Sequence, residues 1–140
     1  LNDIHRITQD IEEAYSSYKL RKASQLMMEL AQAGNVYFDA KTPWKDAKDP
    51  VSRPVMETTI ALCLECLKNL ACISYPIIPD GAQKLWGLLG FDKPLNTYTW
   101  KEILNLPLQV GTPLTKPFIL FQRIEDEVIE QEIAKLQNLH

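Results

Sequence analysis

Lys19-Leu20-Arg21-Lys22-Ala23-Ser24-Gln25-Leu26-Met27-Met28-Glu29-Leu30-Ala31-Gln32-Ala33-Gly34-Asn35-Val36-Tyr37-Phe38 is the stretch that decides the fold class. Its apolar side chains recur at Leu20, Ala23, Leu26 or Met27, Leu30, Ala33 and Tyr37. Steps of three and four residues put these on one face of a helix, so the spacing predicts a helix from Lys19 to Phe38. Ala31 and Gly34 are small enough for a neighbouring helix to approach closely. A single apolar stripe needs partners, and the chain around it offers more helices. The expectation is an all-α bundle.

Before it, Asp3 is placed to cap a helix in which Ile4, Ile7, Ile11, Ala14 and Tyr18 face inward and Asp10, Glu12 and Glu13 outward. After it, Ala40 to Arg53 holds Pro43, Pro50 and aperiodic charges and reads as a loop. Ser52 as N-cap and Pro54 in the first turn announce a third helix, with Val55, Thr59, Leu62, Cys63, Cys66, Leu67, Leu70 and Ile73 on a broad apolar face. It is expected to be the most buried helix. Pro76-Ile77-Ile78-Pro79 stops it, and Asp80 offers a cap for a short helix ending near Gly90, with Ala82, Leu85, Trp86 and Leu89 inward. Thr99 is placed to cap a further turn. Residues 106–123 read as an extended return segment. Residues 124–140 read as a last helix with Val128, Ile129, Ile133 and Leu136 on one face and acids on the other.

A chain of 140 residues fits one domain and buries about two-thirds of the surface its unfolded form exposes, so no disulfide or metal is required. Apolar content of 46% and charged content of 24% are ordinary for a globular protein. No stretch approaches the roughly 20 apolar residues of a membrane span. The opening Leu1-Asn2-Asp3-Ile4 lacks the basic region and apolar run of a signal peptide, and an odd count of reduced cysteines suits a cytoplasmic protein, which is the expectation. Cys63-Leu64-Glu65-Cys66 has the spacing of half a zinc site. No second pair follows, since Cys72 is the one other cysteine and the histidines are His5 and His140. Reduced core thiols and no metal are the expectation.

The net charge of −3 argues against a protein that grips nucleic acid by bulk electrostatics. Divided along the chain, residues 1–40 carry four basic and six acidic side chains, 41–53 four and two, 54–122 five and five, and 123–140 two and five. Only Lys41, Lys45, Lys48 and Arg53 form a locally basic segment, so contact with phosphate belongs there. No phosphate-cradling, dinucleotide, zinc-protease or hydrolase-elbow motif occurs. No catalytic residue is expected: by its residues alone the chain is a binding module.

Within Asn35 to Lys48, Trp44 stands in a charged, proline-bounded segment flanked by lysines. Tyr37 and Phe38 entering the core at a helix end, with Trp44 packed on proline, is the ordinary reading. The other is a partly exposed ring that stacks an unpaired base while ammonium groups meet the phosphates beside it. Trp86 is expected in the core. Trp100 is expected to pack the return segment against the bundle, or to offer a second nucleotide contact.

Asn35-x-Tyr37-x-Asp39-x-x-x-Pro43-Trp44 resembles the N-x-Y-x-D-x-x-x-P-W segment of the anticodon-binding domain of methionyl-tRNA synthetases. Pro76-Ile77-Ile78-Pro79 with Leu85-Trp86-Gly87-Leu88-Leu89-Gly90 resembles the P-x-x-P helix and L-G turn of that domain. Lys116-Pro117-Phe118-Ile119-Leu120-Phe121-Gln122-Arg123-Ile124-Glu125 resembles its closing segment. The resemblance implies a helical bundle of the class I aminoacyl-tRNA synthetase anticodon-binding type. It also implies that Trp44 reads the first base of a CAU anticodon, with Asp39 and Pro43 at the same site, Lys41, Lys45 and Lys48 on phosphates, and Asn35 and Tyr37 structural. Asn35 is expected to be a buried hydrogen-bonding residue that fixes the helix end.

The family's first helix carries an Asn and an Arg in an L-G-N-x-x-x-R context, and the chain begins after the point where that segment should occur. The partners implied are the anticodon loop of tRNA(Met) and an N-terminal catalytic domain of the same enzyme. That domain would join methionine to tRNA with ATP and Mg; this part itself needs no cofactor. Two other readings stay open: a protein-interaction module with the Trp44 loop as its hot spot, and the anticodon domain of another class I synthetase, which would not select CAU. The interaction module predicts a continuous apolar patch around Trp44. The anticodon reading predicts an isolated Trp rimmed by lysines.

Overall fold

The structure is a computed structural model and describes residues 2–137; Leu1 and the last three residues of the expected helix 124–140, His140 among them, lie outside them. The helices are α1 Asn2–Ser16, α2 Leu20–Lys41, α3 Pro43–Asp46, α4 Arg53–Ser74, α5 Pro79–Leu88, α6 Trp100–Asn105 and α7 Asp126–Gln137, with one 3-10 turn at Leu95–Thr97. Among the described residues there is no strand, and no helix is long and apolar enough to cross a membrane. The all-α expectation holds.

α1 and α2 form an antiparallel pair whose facing stripes are those the spacing predicts: Ile7, Ile11 and Ala14 against Ala23, Leu26 and Leu30, closed by Cys66 and Ile73 of α4. Leu20, in contrast, is 60% exposed, because it starts α2 beyond the reach of its partners. Gly34 permits a close approach of α2 and α4: a Cβ there would lie 3.1 Å from the Cys66 sulfur. Tyr18 is a correction. It stands 90% exposed past the end of α1, in the left-handed conformation at φ 57°. The Lys19 N–H donates to the Ala14 carbonyl at 2.8 Å and the Tyr18 N–H to the Tyr15 carbonyl at 3.0 Å. That bond pair is the Schellman ending of a helix, with tyrosine where glycine is usual.

α4 is buried on two sides. One side closes the first cluster; the other gives Ala71 and Cys72 to a second cluster with Trp86, Leu95 and Ile103. The expected face is right at Thr59, Cys66 and Ile73 and wrong at Val55 and Leu67, which are 53% and 37% exposed, because periodicity identifies one broad face and this helix has two separate buried sides. Ser52 is not an N-cap: its backbone is helical, and its hydroxyl donates to Asp49 Oδ2 at 2.7 Å. Asp80 is not a cap either, since α5 starts at Pro79 with Ile78 before it. Thr99 does cap α6, and its side chain and Glu102 form a capping box.

Trp86 is fully buried, stacked on Phe91 at 3.9 Å, with its indole N–H donating to the Lys93 carbonyl at 2.9 Å. Trp100 meets Tyr15 edge-on at 6.2 Å and touches both clusters, so it joins α6 to α1 rather than clamping the return segment. Residues 106–125 contain neither helix nor strand, so Ile124 and Glu125, expected at the start of the last helix, precede α7 instead. Thr115 ties that segment to the end of α5 through the Leu88 and Gly87 carbonyls, both at 3.3 Å. Gly90, at φ 87°, ends α5 where a Cβ would strike the Thr112 methyl at 2.6 Å. α7 buries no side chain, and Val128, Ile129, Ile133 and Leu136 all stand exposed.

Candidate nucleic-acid interface

The segment expected to be a loop is mostly helical. α2 continues through Asp39 and Ala40 to Lys41, and α3 follows at Pro43 after the single residue Thr42. Proline forbids neither helix, because at the first position of α3 its missing N–H would have had no intrahelical partner. What breaks the rod is Thr42, at φ 44° and ψ 52°. Its N–H donates to the Phe38 carbonyl at 3.1 Å and its carbonyl accepts from Lys45 N–H at 2.9 Å, so both sides of the turn are bonded. Pro43 is buried, and α3 lies on α4.

This geometry places each expected site residue. Asn35 and Asp39 are both exposed, four residues apart on α2, one turn or about 6 Å along the axis. Asn35 is neither buried nor at the helix end, because α2 runs a further turn and a half and leaves it in the middle of a solvent-facing stripe. Tyr37 is half-buried and lines a cavity of about 110 Å³ between α1, α2 and α4, beside Ile4, Leu62 and Cys63. The Lys41 ammonium lies 5.8 Å from the centre of the Tyr37 ring, within the range of a cation–π contact. Lys45 and Lys48 are exposed. Arg53, in contrast, pairs with Glu57 at 3.2 Å.

Trp44 is 51% exposed at the start of α3. It is not isolated: its ring centre lies 5.7 Å from that of Phe38, tilted by 56°. Phe38 is 37% exposed, so it supports the indole rather than entering the core. Composition gave no sign of this pairing. The signal available was two aromatics on either side of a Thr-Pro step, legible only once the step is known to end α2 in a left-handed turn. The loop from α3 to α4 is held by Asp49, whose Oδ1 accepts from Val51 N–H at 3.1 Å and whose Oδ2 accepts the Ser52 hydroxyl. Those bonds, the Ser52 hydroxyl first, hold the Asp49 carboxyl below the usual carboxylate range.

The segment thus offers a half-exposed indole against a second ring, an exposed amide and an exposed carboxylate one turn apart on α2, and exposed ammonium groups at Lys41, Lys45 and Lys48. A flat π-face suits stacking of a planar base, and the polar pair suits hydrogen bonds to base edges. Among the described residues, no group of three or more His, Cys, Asp or Glu side chains could hold a metal ion. Cys63, Cys66 and Cys72 are free thiols. Burial pushes Cys66 up to about 11 and Cys72 up to about 12, so they are inert core groups.

Residues 1–138 match the family model of the anticodon binding domain of methionyl tRNA ligase. The chain is 49% identical over 139 residues to a methionine--tRNA ligase of Protochlamydia amoebophila, covering 99% of this chain and 20% of the relative. It is 40% identical to a methionine--tRNA ligase of Chlamydia abortus, covering 89% of this chain and 24% of the relative. It is 35% identical to one of Pyrococcus horikoshii, covering 92% and 17%. The chain therefore spans about a fifth of the length of the curated relatives it matches. Together with the all-helical bundle and the Asn35 to Trp44 segment, these matches mean that the chain belongs to the anticodon-binding domain family of methionyl tRNA ligases.

Proposed function

We propose that this domain binds the anticodon loop of tRNA(Met) and selects CAU within a longer cytoplasmic methionine--tRNA ligase. Trp44 stacks the first anticodon base, Asp39 accepts a hydrogen bond from a base edge, and Pro43 holds Trp44 in place. Lys41, Lys45 and Lys48 meet loop phosphates. The observation that carries the reading is the half-exposed Trp44 indole beside the solvent-facing Asp39 turn of α2. An aromatic ring that hydrophobic burial would normally take inside is here held at the surface by two helices. Activation of methionine with ATP and Mg would belong to the catalytic part of the longer protein, and this chain would supply discrimination only.

A base stacked on an aromatic contributes about 1 to 3 kcal/mol. Trp44→Ala in the full-length protein is therefore expected to lower kcat/KM for aminoacylation of a CAU-bearing tRNA by roughly 5- to 150-fold. A change within about twofold would sink the assignment, since it corresponds to less than roughly 0.5 kcal/mol. If Trp44 served a protein partner instead, the variant would lose that partner and leave charging of the tRNA unaltered.

A further inference from the structure

We propose that Phe38, acting with the left-handed turn at Thr42, presets the plane of the Trp44 indole, which makes Phe38 a positioning residue for the base contact. The inference rests on the reading of Trp44 given above and deepens it. A tryptophan on the surface of the four-residue α3 has two free side-chain torsions, and freezing them on binding costs free energy. An indole already held loses less.

Three observations say that it is held. The Phe38 ring lies 5.7 Å from the indole at a tilt of 56°, an inclined aromatic pair that leaves half of the indole open. The Phe38 carbonyl is also the acceptor for Thr42 N–H at 3.1 Å, so one residue closes α2 and supports the ring. Thr42 adopts φ 44° although it is β-branched, a conformation that is costly for such a residue and persists where the surroundings over-determine it. Here they do: both peptide groups of Thr42 are hydrogen-bonded, and the next residue, Pro43, is buried. A relaxed connection would continue α2 or splay α3 away; this one brings the ring of residue 44 against that of residue 38.

The test uses the full-length protein labelled with fluorotryptophan, the Trp44 resonance being the one lost in Trp44→Phe. Phe38→Leu is expected to shift and broaden that resonance while those of Trp86 and Trp100 stay in place, which also reports an intact fold. Phe38→Tyr, which keeps the ring, is expected to leave all of them unmoved. With a CAU-bearing tRNA, Phe38→Leu is expected to raise KM about three- to tenfold with kcat little changed, and Phe38→Tyr to stay within about twofold of wild type. Adding Phe38→Leu to Trp44→Ala is expected to cost nothing more. The proposal is overturned if the Trp44 resonance ignores Phe38→Leu, or if Phe38→Leu costs as much without Trp44 as with it. If Trp44→Ala itself leaves tRNA charging intact, the anticodon reading fails, and the fluorine spectra alone decide whether Phe38 fixes the ring.

Discussion

The ammonium nitrogen of Lys68, on a side chain only 1% exposed, donates to the Leu106 carbonyl at 2.6 Å and pairs with Glu65 Oε1 at 2.7 Å. Leu106 is the first residue after α6, so a charge in the middle of α4 fixes where the return segment leaves the bundle. Glu65 is held in turn by the Asn69 amide at 3.0 Å, which leaves each member of the cluster with a partner. A buried lysine is tolerated because it is paired and bonded.

Lys68→Met keeps the volume and removes the donor. The part-buried Leu106 carbonyl loses its partner, while Glu65, 24% exposed, keeps Asn69 and can turn to water. The expected loss is about 2 to 3 kcal/mol, less than for a fully buried pair, and a fall in Tm of roughly 6 to 12 °C. Thermal unfolding of the variant within about 2 °C of wild type would show that the cluster adds no net stability.

Two helix ends use the same left-handed conformation with opposite residue choices. Tyr18 at φ 57° carries a side chain that is 90% exposed, so Tyr18→Gly gives up no packing and relieves the strain. Stability is expected to rise by about 0.5 to 1 kcal/mol. Gly90→Ala must both adopt φ 87° and displace the Thr112 methyl, so it is expected to cost about 2 kcal/mol or more. Urea midpoints should move in opposite directions; shifts of one sign in both variants would contradict the account.

The thiols give a pH dependence with a definite sign. Burial raises Cys66 to about 11 and Cys72 to about 12 in the folded chain, above the ordinary value of 9.0. The fold therefore keeps these protons while the unfolded chain releases them. Their contribution is fully present below pH 9.0 and is lost as pH rises from there toward the folded values. Under mildly alkaline conditions an alkylating reagent is expected to reach the half-buried Cys63 first, with Cys66 and Cys72 modified at the rate of global opening. Equal rates for all three, by mass spectrometry of the peptides, would contradict their placement.

What the sequence made legible follows from how local each feature is. The α1–α2 stripe, the Thr99 cap and the stop at Pro76 to Pro79 depend on neighbours within one or two turns. The second face of α4, the burial of Lys68 and the support of Trp44 by Phe38 depend on segments far apart or on a left-handed turn that no composition rule announces. Pro43 illustrates the difference: as punctuation it predicts a loop, whereas as the first residue of a helix it fits, and only the turn at Thr42 decides between the two. At the candidate site, the residue identities were legible through family resemblance. The solvent-facing position of Asn35 and the contact between Lys41 and the Tyr37 ring were not.

Electrostatic and stacking contributions can be separated by salt. Lys45 and Lys48 are exposed in a locally basic segment of an acidic chain, and on the function proposed above their contribution to binding a single-stranded loop is release of condensed counterions. For the full-length protein, the slope of log affinity against log salt concentration is expected to flatten by about 0.7 for each lysine that meets a phosphate, or about 1.4 for the Lys45→Ala, Lys48→Ala double variant. Because phosphates are the same in every anticodon loop, the double variant should weaken CAU and non-CAU loops alike. Trp44→Ala should instead leave the slope unchanged and narrow the gap between them. Parallel salt slopes for wild type and the double variant would place the phosphates elsewhere. A Trp44→Ala protein with an unchanged preference for CAU would remove the indole from selection altogether.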